Sequence, residues 1–128
     1  MKFLEWKEEN EISFPEIDKQ HKDIYTAINK LYELKNSNKD EILKHYELLL
    51  KKFRKHFETE EKFMKERNAI ELFSHRLEHE RALTKYDKYF NKLKKKNSKF
   101  NDEILISLKT WIENHAIFKD NKLKKYVN

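Results

Sequence analysis

The chain of 128 residues contains no cysteine and no glycine, has a single proline, Pro15, and lacks any long apolar run. Without cysteine there is no disulfide framework, no thiolate zinc site and no cysteine nucleophile, and the redox compartment is not fixed by thiol usage. Without glycine, the tight turns and phosphate-cradling loops of nucleotide-binding fingerprints cannot form. No stretch approaches the ~18 apolar residues of a membrane span. The charged N-terminus, Met1 to Glu11, has no apolar core of the kind a secretory signal needs. The expectation is a soluble cytoplasmic protein with no membrane partner.

What remains suits long helices. Charged residues make up 41% of the chain, mostly Lys and Glu, which are good helix formers for outer faces, and 38% of residues are hydrophobic. That length and composition predict a single domain over residues 1–128. The net charge of +6 raises the question of a nucleic-acid partner. Lysines, however, are spread among glutamates along the chain, with denser runs only at Lys92 to Lys99 and Lys119 to Lys125. Both runs are read as solvated faces. No nucleic-acid motif is present, so no such partner is expected.

Residues 1–16 carry Phe3, Leu4, Trp6, Ile12 and Phe14 without a helical period, the pattern of an extended N-terminal arm laid on the domain. Asp18 is expected to cap a first helix with Ile17, His21, Ile24, Tyr25, Ile28, Leu31 and Tyr32 inward. Asn38 with Glu41 resembles a capping box for a second helix, over about 39–67, whose stripe is Ile42, Tyr46, Leu49, Phe53, His56, Glu60 and Met64. Asn68 with Glu71 repeats that arrangement before a third helix with Leu72, His75, His79, Ala82, Tyr86, Tyr89, Phe90 and Leu93 inward. A fourth starts near Asn101 and places Ile104, Leu108, Trp111, Ile112 and His115 on one face, ahead of a short tail. Four amphipathic helices with short polar connections predict an all-α, antiparallel up-down-up-down four-helix bundle.

Five of the six histidines, all but His45, fall on these apolar stripes, as does Glu60. The pairs His56/Glu60 and His75/His79 have i, i+4 spacing, which stacks both side chains on one helical face. Five buried imidazoles and a carboxylate are hard to satisfy by hydrogen bonds alone, and a metal resolves the problem. They are too many for one tetrahedral zinc, and added carboxylates favour a two-metal centre of a harder ion such as iron. His75-Arg76-Leu77-Glu78-His79 also spells an inverted zinc-protease signature. Glu78 lies off the inward stripe, though, and a bundle of this size hardly provides a substrate cleft. The Glu-x-x-His pairs of ferritin-like di-iron sites are absent.

The set of spaced motifs resembles the hemerythrin family, in particular its single-domain bacterial members. The residues are Trp6 in the arm, Pro15-Glu16-Ile17-Asp18-Lys19-Gln20-His21, His56-Phe57-x-x-Glu60-Glu61, His75-x-x-x-His79 and His115-x-x-x-x-Asp120. The resemblance covers nearly the whole chain. It implies a non-haem centre of two iron ions bridged by oxo or hydroxo, with dioxygen as ligand. One iron would take His75, His79 and His115, and the other His21 and His56. Glu60 and Asp120 would bridge both, leaving one position on the second iron open to dioxygen. Ile24, Phe57, Trp111 and Ile112 lie within about one turn of these ligands and are candidates for the oxygen pocket, each equally suited to ordinary core. Asp120 follows His115 by five residues, about 140° around a regular helix, so the fourth helix must end, loosen or widen into a π-type turn between them. The family's glycine ahead of the first helix is missing, Ser13 and Phe14 standing in that region.

The function implied is reversible dioxygen binding for storage, delivery or sensing rather than catalysis. A di-iron enzyme acting on peroxide or nitric oxide is the alternative, and a polar or acidic residue lining the open position would favour it. A purely structural bundle would leave the buried histidines unexplained. No protein partner is indicated.

Overall fold

The structure, a computed structural model, describes residues 3–116 and 120–127, the side chains of Asp120 and Asn121 excepted. Four helices form the frame: α1 (Pro15–Leu34), α2 (Lys39–Glu66), α3 (Leu72–Leu93) and α4 (Asp102–Asn114). Short 3-10 helices span Glu8–Asn10 and Asp120–Tyr126, and no strand occurs among the described residues. α1 packs on α2 and α4, and α2 packs on α3. The Lys85 amine donates to Ser107 Oγ, and the Tyr86 hydroxyl lies 2.9 Å from the same oxygen, which ties α3 to α4 and closes the bundle.

Local chemistry explains where each helix starts and stops. Asn38 Oδ1 accepts from Glu41 N at 3.0 Å and Asn101 Oδ1 from Ile104 N at 3.1 Å, each satisfying an otherwise orphaned first-turn donor. Two cap expectations need correction. Asp18 does not start α1: Pro15 does, because its fixed φ suits the first helical position, and Phe14 is the cap residue. Asp18 is instead buried inside the helix, and its Oδ1 accepts from Ile12 N at 2.9 Å, pinning the arm. Asn68 does not start α3 but ends α2. It takes φ 53, its N–H donates to Lys65 O, and the next N–H, of Ala69, donates to Met64 O at 2.9 Å. This is the left-handed helix stop usually made by glycine; in a chain without glycine, asparagine is the residue that tolerates it.

The arm is largely extended and fastened to α1. Asn29 accepts from Leu4 N and donates to Leu4 O, both at 2.8 Å, and Phe3 stacks on Tyr32 with ring centroids 4.6 Å apart. Tyr32, expected inward, is 38% exposed, because the arm and not the bundle core covers its ring. Leu72, Tyr89 and Trp111 are likewise half-buried rather than fully inward. The lysines from Lys92 to Lys99 are all exposed, as solvated faces should be, and so are Lys122, Lys124 and Lys125.

Among the described residues, nearly all buried apolar side chains fall into two clusters. The larger includes Ile24, Ile28, Tyr46, Phe53, Phe57 and Leu108 and fills the bundle on one side of the histidines. The smaller joins Ile12, Ile17, Phe63, Met64, Ala69 and Leu123. Along α1 the order is Ile17, His21, Ile24, and along α2 it is Phe57, Glu60, Phe63, so a polar layer separates the clusters. At the small-cluster end the C-terminal 3-10 helix is clamped to the turn between α2 and α3. Tyr126 Oη donates to Glu71 Oε1 at 2.8 Å, Lys125 pairs with Glu71 at 2.8 Å, and Arg67 Nε donates to Tyr126 O at 3.1 Å.

Candidate metal centre

Every helix sends a side chain into the polar layer. α1 supplies His21, α2 supplies His56 and Glu60, α3 supplies His75 and His79, and His115 stands at the C-terminal boundary of α4; none is more than 2% exposed. The i, i+4 pairs deliver both members to one point, as their stripe positions require. His115 and Ala116 form a π-helical turn, so the expected irregularity after His115 is present. Asp120 opens the final 3-10 helix, but its side chain lies outside the described residues.

Glu60 is the hub. Its Oε1 lies 3.2 Å from His79 Nε2 and 3.4 Å from His75 Nε2. Its Oε2 lies 3.0 Å from His56 Nε2 and 3.3 Å from His115 Nε2. Ligand atoms of His21, His56, Glu60 and His115 all lie within 4.8 Å of one another. His115 stands between the two groups, since its ring centroid is also 5.2 Å from that of His79 and 5.9 Å from that of His75.

The donor set fits metal ions. His79 Nδ1 donates to Glu61 Oε2 at 2.7 Å, so in the neutral ring Nε2 carries the lone pair. Among the described residues that buried Nε2 has no hydrogen-bond partner, although Glu60 Oε1 faces it. His56 Nδ1 lies 3.0 Å from Gln20 Oε1, an acceptor, which again turns the Nε2 lone pair toward a Glu60 oxygen. Acceptor facing acceptor in a dry interior is unfavourable unless a cation lies between them. Two donors bound cis to one ion at ~2.1 Å sit about 3.0 Å apart, close to the separations found.

Aromatic walls close the layer on the large-cluster side. Phe57 stacks on the His79 ring at 3.9 Å, Trp111 stacks on His115 at 4.6 Å, and Phe57 and Trp111 meet edge to face at 5.5 Å. Ile24 and Ile112 are fully buried in the adjoining cluster. Trp6 of the arm lies 6.0 Å from His21 and 5.1 Å from Tyr25. Burial, with the Glu113 charge added, pushes the Tyr25 hydroxyl up to about 12, so it brings no charge to this wall near neutral pH. His45 stays at the rim beside Glu41, as expected. Glu78 lines a surface cleft of about 280 Å³ with Arg81, Trp111, Asn114 and His115.

Gln20 and Glu61 belong to the site as outer partners of its histidines, with Thr59 holding Gln20, and reading the stripes alone missed them. A signal existed. Gln20 precedes His21 and Glu61 follows Glu60, and a polar residue one step from an inward ligand lies at the edge shared with the neighbouring helix.

A bundle whose core carries a histidine and carboxylate layer of this kind is a cation-binding four-helix protein. Comparison with known proteins makes the class specific. The profile of the Hemerythrin HHE cation binding domain matches residues 13–127. A bacteriohemerythrin of Clostridium acetobutylicum is 30% identical over 123 residues, covering 91% of this chain and 95% of that protein. A wild-type hemerythrin crystal structure superposes with a TM-score of 0.89 at 22% identity, covering 98% of both chains. A leucine-to-alanine hemerythrin variant gives 0.90 at 23% identity, covering 99% of this chain and 98% of that one. The chain belongs to the hemerythrin family.

Proposed function

We propose that the chain binds dioxygen reversibly at a di-iron centre held by His21, His56, Glu60, His75, His79, His115 and Asp120, for oxygen storage, delivery or sensing. The observation that carries this reading is Glu60, whose two oxygens each face different imidazoles, the arrangement a bridging carboxylate needs. The bound iron pair supplies the redox chemistry that reversible dioxygen binding requires. The chain's own side chains do the rest. Glu61 and Gln20 hold the His79 and His56 rings so that each presents Nε2 inward. Phe57, Trp111, Ile24 and Ile112 are proposed to line the oxygen pocket, where apolar walls exclude water and stray proton donors. Such shielding suits a carrier, which must release its ligand unchanged, better than an enzyme, which must admit a second substrate. No described helix is long and apolar enough to cross a membrane.

The test is an optical spectrum of the iron-loaded protein, reduced without air, then exposed to air and afterwards to vacuum. The expected result is a visible band that appears with air and vanishes under vacuum. Direct passage to a stable oxidised form that vacuum does not reverse would replace the carrier reading with oxidase or peroxidase chemistry.

A further inference from the structure

Two histidines of the layer are held from outside by partners of different charge. His79 Nδ1 donates to the Glu61 carboxylate at 2.7 Å, and Arg76 Nε donates to the other oxygen of Glu61 at 3.3 Å. His56 Nδ1 instead meets the neutral amide of Gln20 at 3.0 Å. The orientation of that amide follows from a chain of donors. The Thr59 hydroxyl gives its hydrogen to Lys55 O at 3.0 Å, so it faces Gln20 with a lone pair. Gln20 Nε2 therefore donates to Thr59 Oγ1, also at 3.0 Å, and Gln20 Oε1 is left to accept from His56.

These partners have unequal effects on the ring nitrogen that faces inward. A carboxylate drawing on Nδ1–H makes the opposite nitrogen a more basic ligand, and an amide oxygen does so weakly. The two inward nitrogens also address opposite oxygens of Glu60, His79 at Oε1 and His56 at Oε2. The halves of the layer thus offer donors of different strength to whatever cations they hold.

We infer that this difference orders the filling of the centre. The first divalent cation enters the half formed by His75, His79 and Glu60 Oε1, and Gln20 keeps the His56 half the weaker one. Glu61 and Gln20 are then positioning residues that act through the rings they hold. The inference rests on the two-ion reading above. Gln20 also borders an open cleft of about 250 Å³ lined by Glu16, Lys19, Asp23, Lys52 and Lys55, so a Gln20→Glu side chain of the same shape meets three lysines against two carboxylates, with the Thr59 hydroxyl turning from Lys55 O to donate to it.

The experiment is a Zn²⁺ titration of the metal-free protein labelled with ¹⁵N in its histidine rings, followed by NMR, with stepwise affinities from a competing chelator. The first equivalent is expected to move the Nε2 resonances of His75 and His79, and the second those of His56. Gln20→Glu should tighten the second step about 10-fold and leave the first in place, whereas Glu61→Gln should weaken the first step about 10-fold. Thr59→Val, which frees the amide without touching a ligand, should weaken only the second step, and Thr59→Ser should restore it; a general loss of structure would move both steps and change the helical circular dichroism. Filling of the His56 half first, simultaneous filling at equal affinity, or a Gln20→Glu effect on the first step would overturn the ordering. Uptake of fewer than two ions would overturn the two-ion reading and the ordering with it.

Discussion

The two apolar clusters on either side of the histidine layer are built differently. The larger is assembled from long helical stripes, with the Phe53 ring stacked against both Phe57 and Tyr86. The smaller takes residues from the arm, from the start of α1, the end of α2 and the turn beyond it, and from the C-terminal 3-10 helix. Both positive-φ residues among the described ones, Ser13 at 65° and Asn68 at 53°, lie in its segments. Side chain to backbone hydrogen bonds help hold it, as from Ile12 N to Asp18 Oδ1 and from Arg67 Nε to Tyr126 O. Among the described residues, irregular backbone is therefore concentrated at the end that carries the C-terminal 3-10 helix, while regular helix supplies the frame. Stability is expected to divide along the same line, with the large cluster setting global unfolding and the small one setting local opening.

The largest expected effect tests the frame. Phe53 is 1% exposed and packs against Phe57, Tyr86 and Trp111, so Phe53→Ala should lower the global unfolding free energy by about 3–5 kcal/mol in denaturant titrations. Leu123→Ala removes a side chain of 0% exposure from the small cluster, for about 2–4 kcal/mol. Its loss should appear chiefly as faster amide hydrogen exchange in the arm and the C-terminal 3-10 helix. Equal acceleration throughout α2 and α3 would show that the clusters do not separate.

A smaller effect is expected at the clamp. Burial pushes the Glu71 carboxyl up, but hydrogen bonds from Lys125 and Tyr126 outweigh it and hold the group below its ordinary value of 4.5. A lowered folded value means the clamp contributes fully above that pH and fades as the pH falls through the lower folded value. Glu71→Gln should open the C-terminal segment by about 1 kcal/mol at neutral pH and abolish that part of its acid sensitivity, read as the difference from the parent protein in hydrogen exchange. The smallest change should be a gain. Ser13→Gly relieves a left-handed backbone position and is expected to protect the arm by up to about 1 kcal/mol.

The same division governs what could be read from the sequence. The four helices were legible because their stripes repeat without interruption, and the cap at Asn38 because the asparagine directly precedes the first turn; near Asn101 only the helix start was legible, and its capping role came from the structure. The small-cluster end was not. Asp18 and Asn68 have the residue types of helix starts, but tertiary partners put one inside a helix and the other at a helix end. For the candidate site, the inward histidines and Glu60 followed from periodicity alone. Gln20, Thr59 and Glu61 did not, because their role depends on which helix lies beside them, and a single stripe carries no record of its neighbour.

The most direct test of the central claim is a count. Metal-free protein titrated with ferrous iron under anaerobic conditions, then equilibrated with dioxygen in a sealed cell, gives iron bound per chain and gas taken up and returned. The expected result is about two irons per chain and about one dioxygen per pair, recovered when the pressure is lowered. Saturation at one iron, or dioxygen consumed and not returned, would contradict it.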